Sequence, residues 1–366
     1  MARLFEPITL RGITIRNRLW LPPMCQYSAD PEGGDAARPN AWHLQHYAAR
    51  SVGGFGMIIV EATAVNRQGR ISPYCLSLGD EADVAAFARL ADTIRVGGAT
   101  PAIQLNHAGR KASGPPGWER SLPEDSLLAW QTVAPSAVPF STHGPRPQEL
   151  SEAQIEDLIA QFGRSAQLAV AAGFDVIELH AAHGYLIHQF LSPMSNRRED
   201  RWGGSFENRT RFLLAVIDAV RAVTADTPLI VRLSASDWLE FGQESDEVGH
   251  PGWTLAESVE LACTGAEHGV DFWDISSAGN VPFAPPQVTP GYQVPFAQRI
   301  RCEARVPTSA VGLIGSAGQA EQILVTGQAD AVEVGRVALH DPYVANRWHA
   351  ELDRDATVWP LQYQRG

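Results

Sequence analysis

The run Arg18-Leu19-Trp20-Leu21-Pro22-Pro23-Met24-Cys25 is a short apolar stretch that ends on a proline pair. An open, doubly wound nucleotide-binding sheet would place a Gly-x-Gly-x-x-Gly turn directly after its first strand, where glycines let the backbone approach a pyrophosphate. Prolines stand there instead. Working outward, strand-like runs recur at residues 18–22, 57–65, 100–106, 174–180, 228–234, 271–276, 307–311 and 329–334. Amphipathic helical patterns follow each of them, near 42–52, 81–97, 151–172, 208–224, 254–268, 294–304, 316–326 and 336–350. Short apolar strands alternating with longer helices form a parallel sheet, and eight such pairs close into a barrel. The expected fold is therefore α/β: a single (β/α)8 TIM barrel over residues 1–366, with long capping loops at its C-terminal face and residues 359–366 as a tail.

Local signals agree with these elements. Ser151-Glu152-Ala153-Gln154 has the spacing of a capping box, and Gly173 supplies a stop before the fourth strand. The connections leaving strands 3, 4 and 6 are long, at 107–150, 181–207 and 277–293, while those entering strands are short. In barrels the site is built on the face that such loops decorate.

Composition removes several chemistries. With 366 residues, 45% of them hydrophobic and 19% charged, the chain can bury a large core. The formal net charge of -12, and the lack of a basic run, argue against a nucleic-acid partner. Lys111 is the only lysine among 29 Lys and Arg residues, and no phosphate-loop spacing surrounds it. P-loop phosphoryl transfer and Schiff-base chemistry would both need such a lysine. Cys25, Cys75, Cys263 and Cys302 are dispersed with no C-x-x-C pair, which speaks against a disulfide framework, a zinc ribbon or an iron-sulfur cluster. No apolar run approaches a membrane span or a signal peptide, so a soluble, cytoplasmic protein with no membrane partner is expected.

The densest chemical cluster is His180-Ala181-Ala182-His183-Gly184-Tyr185, at the end of the fourth strand. Two imidazoles can polarise a carbonyl or nitro oxygen, and a phenol of ordinary pKa about 10 can protonate a neighbouring carbon. The alternative is a metal-dependent barrel hydrolase with His180, His183 and His188 as zinc ligands, although the spacing is not His-Glu-x-x-His and no acid lies among them. Arg232 stands inside an apolar strand and must meet either a protein carboxylate such as Glu178 or an anionic ligand. Gln104, also amid apolar strand sequence, suits the donor and acceptor edge of a heterocycle. Gly312 through Gly318 follow strand 7, and Gly335-Arg336 follow strand 8; they serve either as helix caps or as a phosphate seat. Cys25 is either a packing thiol or a polarisable sulfur beside a redox cofactor.

Taken together, the motifs resemble the Old Yellow Enzyme family of FMN-dependent ene-reductases, specifically its thermophilic-like subclass. The resemblance runs over essentially the whole chain and includes Leu4-Phe5-Glu6-Pro7, Pro22-Pro23-Met24-Cys25-Gln26-Tyr27, Glu61-Ala62-Thr63-Ala64, Gln104 to Lys111, His180 to Tyr185, Asp200 to Ser205 and Gly335-Arg336. It implies that Pro22, Pro23, Met24, Cys25, Ala62, Gln104, Arg232, Gly312, Gly335 and Arg336 hold FMN, with NADPH or NADH as hydride donor. Cys25 would mark the subclass and modulate the flavin, where other members have threonine. His180 and His183 would bind the oxygen of an activated alkene, such as an α,β-unsaturated ketone or aldehyde, a maleimide or a nitroalkene. Tyr27 would face the same substrate, and Tyr185 would protonate it. The resemblance also implies a homodimer or homotetramer in which Arg365 reaches into a neighbouring subunit's site. No metal is expected. Trp118, Trp130, Phe283 and Tyr292, in the long loops, are candidates for substrate selection.

Overall fold

A computed structural model describes residues 2–119, 122, 128–142, 144–241, 252–282, 288–354 and 358–365. Eight parallel strands close into a barrel: β1 (Leu19–Leu21), β2 (Met57–Ala64), β3 (Thr100–Asn106), β4 (Val176–Ala181), β5 (Leu229–Ser234), β6 (Phe272–Ser276), β7 (Thr308–Ala310) and β8 (Ala331–Glu333). Each coincides with one of the expected runs. The fourth begins later than expected because the Phe174 N–H is spent on Ala169 of the preceding helix, in a cap that turns through Gly173 at φ +85°. The strand then runs on to Ala181, so His180 belongs to the strand itself.

The barrel helices are α1 (Ala41–Val52), α2 (Val84–Val96), α3 (Glu152–Ala171), α4 (Phe206–Val223), α5 (Leu255–Glu267), α6 (Val294–Ala304) and α7 (Ala317–Val325). The α3 capping box is present: Ser151 Oγ accepts from the Gln154 N–H and Gln154 Oε1 accepts from the Ser151 N–H. The last expected helix, 336–350, is two helices, α8 (Arg336–His340) and α9 (Val344–Leu352). Pro342 lies between them; it lacks an N–H and disfavours helical backbone at Asp341. No described helix is long and apolar enough to cross a membrane.

Strand alternation sorts the barrel interior into layers. At the N-terminal end Trp20, Ile59, Ala102, Val176, Ile230 and Phe272 form one apolar cluster. A hairpin of Ile8–Leu10 and Ile13–Ile15 closes that end with Leu10 and Ile15, turning through Arg11 and Gly12, which are both left-handed. Two residues further along the strands come Gln104, Glu178, Arg232, Asp274 and Glu333, all buried. Two further still lie Asn106, His180, Ser234 and Ser276, at the mouth. The polar residues in apolar strands thus occupy successive levels of one interior.

Candidate functional site

At the mouth, β4 delivers the His180 to Tyr185 segment into a sharp turn. His183 (φ +57°) and Gly184 (φ +71°) are left-handed, and Tyr185 begins a short buried helix, Leu186–Leu191. The turn brings three rings together: His180 lies 5.2 Å from His183 and 4.9 Å from Tyr185, centroid to centroid, both in edge-on contact. His180 Nδ1 accepts from the Ala182 N–H at 3.3 Å, which leaves Nε2 as its donor. His183 is fixed twice, its N–H donating to Ser234 Oγ (2.9 Å) and its Nε2 hydrogen-bonded to Ser276 Oγ (2.7 Å). Burial, reinforced by the Arg232 and Lys111 cations, holds both imidazoles well below the usual histidine range. They are neutral. Burial likewise pushes the Tyr185 phenol well above its ordinary range, so it keeps its proton.

Lys111, in the loop after strand 3, is a half-buried staple in this site. Its ammonium donates to His183 O (2.8 Å) and Gly279 O (2.9 Å) and lies 5.1 Å from the Tyr185 ring. Burial lowers its pKa to about 8, with Arg110 adding to the shift. The seam it closes is tight. A Cβ on Gly279 (φ +94°) would come within 2.6 Å of His183 Cα, so glycine is required for this approach.

The metal reading is corrected by His188. Its Nδ1 accepts from the Gly184 N–H (2.9 Å) and its Nε2 meets Asp237 Oδ1 (3.1 Å), so both ring nitrogens are committed to protein groups. It holds the turn from beneath rather than facing the mouth. Among the described residues the one acid, cysteine or histidine group close enough to share an ion is Glu178, Asp274 and Glu333, which contains no histidine.

Beside the three rings, Cys25, Tyr27, Trp130 and Tyr185 pack on a buried cluster of Ala62, Ile71, Cys75, Ala108 and Ala112. Cys75 and burial raise the Cys25 thiol well above its usual range, so it is held as the neutral thiol. Tyr27 is left-handed (φ +49°) and meets Trp118 edge-on at 5.7 Å. Trp130 Nε1 donates to Gln68 O, and Phe283 lies outside the described residues.

A cavity of about 350 Å³ opens alongside, lined by Pro22, Pro23, Met24, Arg232, Gly312, Gly335 and Arg336 from the expected set. Gly315, from the glycine run expected to seat a phosphate, lines it too, as do Tyr292, a candidate for substrate selection, and Gln293, which no signal in the sequence places across from strand 8. Gly335 is a cradle: a Cβ there would crowd Met24 Sδ at 3.1 Å. Cys25, Ala62 and Gln104 do not line this cavity. Gln104 Nε2 donates instead to Glu178 Oε1 (2.8 Å) in the layer below.

Arg232 pairs with Asp274 (2.9 Å), not with Glu178, and also lines the cavity, so its two expected environments coexist. Burial opposes its charge, but Asp274, Glu333 and Glu178 outweigh burial and keep it protonated. In one lining, a fixed cation suits a flavin ring and glycines beside Arg336 suit a phosphate. The described residues therefore suit FMN.

Arg365 is not part of this assembly. Trp359, Pro360 and Tyr363 pack near Gly54 and Gly97, which precede β2 and β3, at the end of the barrel opposite the mouth.

The chain matches the NADH:flavin oxidoreductase / NADH oxidase family over residues 3–355. It is 46% identical over 364 residues to an NADPH dehydrogenase of Geobacillus thermodenitrificans, covering 99% of this chain and 98% of that one. To an NADPH dehydrogenase of Bacillus subtilis it is 42% identical over 368 residues, covering 100% of both. Among solved structures, morphinone reductase superposes with a TM-score of 0.78 at 27% identity, covering 96% of this chain and 90% of that one. A structure of the same reductase in complex with tetrahydroNAD gives 0.76 at 27% identity, covering 95% and 90%.

Proposed function

Because the chain belongs to the NADH:flavin oxidoreductase / NADH oxidase family, as an FMN-dependent oxidoreductase of the Old Yellow Enzyme type, we propose that it reduces the C=C bond of activated alkenes. The observation that carries this reading is the pair of neutral imidazoles, His180 and His183, in contact with a protonated phenol beside a flavin-sized cavity. FMN, when bound, would supply the two-electron chemistry that links NADPH or NADH as hydride donor to the alkene β-carbon as acceptor. The morphinone reductase complex with tetrahydroNAD supports nicotinamide binding at a site of this fold.

The chain's own residues do the remaining work. His180 and His183 donate N–H bonds to the carbonyl or nitro oxygen and stabilise the charge that develops there. His183 must exchange its Ser276 partner for the substrate oxygen, and Ser276 is not left unpaired when it does, because its Oγ already donates to Gln293 Oε1 (3.2 Å). Tyr185 delivers its proton to the α-carbon. Tyr27, with Trp118 at its edge, forms a wall for the substrate. Pro22, Pro23, Met24, Gly312, Gly335 and Arg336 hold FMN, Arg232 sets positive charge beside its ring, and Cys25, Ala62 and Gln104 flank it. Cys25 presents a thiol rather than a thiolate, which adjusts the flavin without adding charge.

Residues 1–366 act as one barrel domain in the cytoplasm. Copies assemble as a homodimer or homotetramer in which Arg365 serves a neighbour's mouth. The experiment is anaerobic bleaching of the yellow protein by NADPH and by NADH, followed by re-oxidation with cyclohexenone or maleimide. Bleaching and re-oxidation are expected; a flavin that bleaches but is not re-oxidised by any activated alkene would overturn the reading.

A further inference from the structure

The ionic layer under the mouth holds more acid than its one cation can neutralise. Glu178 on β4, Asp274 on β6 and Glu333 on β8 bring one carboxylate oxygen each to within 4.8 Å of one another, all buried. Facing them are Arg232 on β5, Gln104 on β3 and the Ser309 hydroxyl on β7. Full ionisation would leave two uncompensated negative charges out of water, a state that protons relieve. Asp274 is the natural anion because it alone of the three pairs directly with Arg232 (2.9 Å), which offsets part of the burial that raises it; the Ser309 hydroxyl lies 3.1 Å from both Asp274 and Glu333 and does not separate them. Glu333, raised well above its usual range by burial and by Asp274, is the member that keeps its proton. Glu178 lies between these extremes. Burial and Asp274 raise it to about 8, while Arg232 and the Gln104 amide pull it down.

The layer is also wired to the residues that face the cofactor. Gln104 spends an amide hydrogen on Glu178, Arg232 spends its charge on Asp274, and Arg232 and Glu333 both line the cavity. A negative charge added at the mouth competes for Arg232 and weakens its hold on the acids below. By the same coupling, a proton arriving on Glu178 returns Arg232 to the mouth. The inference rests on the placement of FMN proposed above.

We propose that Glu178 is a redox-linked acid, taking up one proton from solvent as two electrons enter FMN at the barrel mouth and releasing it as they leave. The balance is simple. Two electrons and one proton arrive with the nicotinamide hydride, and the further proton comes from water and ends on a Glu178 oxygen. Glu178 touches neither substrate nor reacting atoms; it is a positioning residue that keeps Gln104 oriented and Arg232 available.

The test is proton uptake during anaerobic photoreduction of the holoenzyme in weakly buffered solution, together with the flavin midpoint potential across about pH 7 to 9. Wild-type uptake should rise above one proton per flavin as the pH passes through about 8, and its potential should fall with a steeper pH slope there. Glu178→Gln keeps an oxygen that accepts from Gln104 but cannot titrate, so its uptake should stay at one proton and its slope should stay shallow. If the variant does not retain flavin, the wild-type measurement decides alone. Uptake fixed at one proton in a flavin-loaded wild type overturns the inference. Failure of the underlying reading looks different: Arg232→Met would then leave the flavin potential where it was.

Discussion

Tyr185 is poised as an acid that only a strong base can deprotonate, since burial drives its phenol above the ordinary range. On the proposed function its proton would leave only as negative charge builds on the substrate α-carbon, and a phenylalanine in its place removes that proton while keeping the ring packing. In Tyr185→Phe, stopped-flow bleaching by NADPH should be unchanged, while re-oxidation by cyclohexenone should slow by roughly 10² to 10⁴. Arg232 carries a different burden. Among the described residues it is the one cation paired to the layer of Glu178, Asp274 and Glu333, and removing it leaves buried acids uncompensated, at roughly 3 to 5 kcal/mol where they stay charged. Arg232→Met should thus purify with less FMN or a lower flavin potential, read by absorbance and by dye-equilibrated titration, together with a lower denaturation midpoint. Normal flavin content and potential would remove Arg232 from the cofactor site.

Between elements, the β4 turn and the β6 loop meet along the His183 to Gly184 and Gly279 seam, and Lys111 from the β3 loop bridges both carbonyls. Lys111→Met keeps the length of the stem but leaves two half-buried acceptors without their donor, at up to roughly 1 kcal/mol each. We expect a destabilised variant with a raised KM for the alkene and an unaltered affinity for FMN; urea unfolding and steady-state kinetics check it. The eight strands were legible because each apolar run is bounded by turn chemistry, and period-two alternation survives even at Arg232 and Gln104. The break between α8 and α9 was legible too, in Pro342, but the amphipathic pattern on either side masks it. The hairpin under the barrel left a signal in Ile8-Thr9-Leu10-Arg11-Gly12-Ile13-Thr14-Ile15, an alternation around a turn. What no single strand could reveal is the acid layer. Glu178, Asp274 and Glu333 lie 59 or more residues apart in sequence, and only barrel closure makes them neighbours. His188 misled for the same reason, because its partner Asp237 comes from the chain beyond β5.

Across the whole molecule, buried neutral histidines set an acid limit and the tail sets an assembly question. Burial lowers His107 to about 4 and His46 to about 3, so the unfolded chain binds more protons than the folded one below the unfolded value of about 6.5. Stability should fall as pH drops from about 6.5 towards 4, by roughly 2 kcal/mol per histidine at pH 5, and His107→Gln should flatten that dependence in urea melts at a series of pH values. The tail is held to its own barrel by Trp359 and Tyr363, whose rings lie 6.2 and 6.1 Å from Tyr343. Those contacts anchor it at the end opposite the mouth, with Arg365 exposed. An arginine so placed can act on substrate only at the mouth of another copy, where its charge would meet the oxygen proposed to bind His180 and His183. Deleting residues 363–366 leaves Trp359 on Tyr343 and the barrel intact, so thermal unfolding should change little. The KM for cyclohexenone should rise several-fold and the sedimenting species should become smaller. Kinetics and mass identical to the full chain would show that Arg365 serves no neighbour's site.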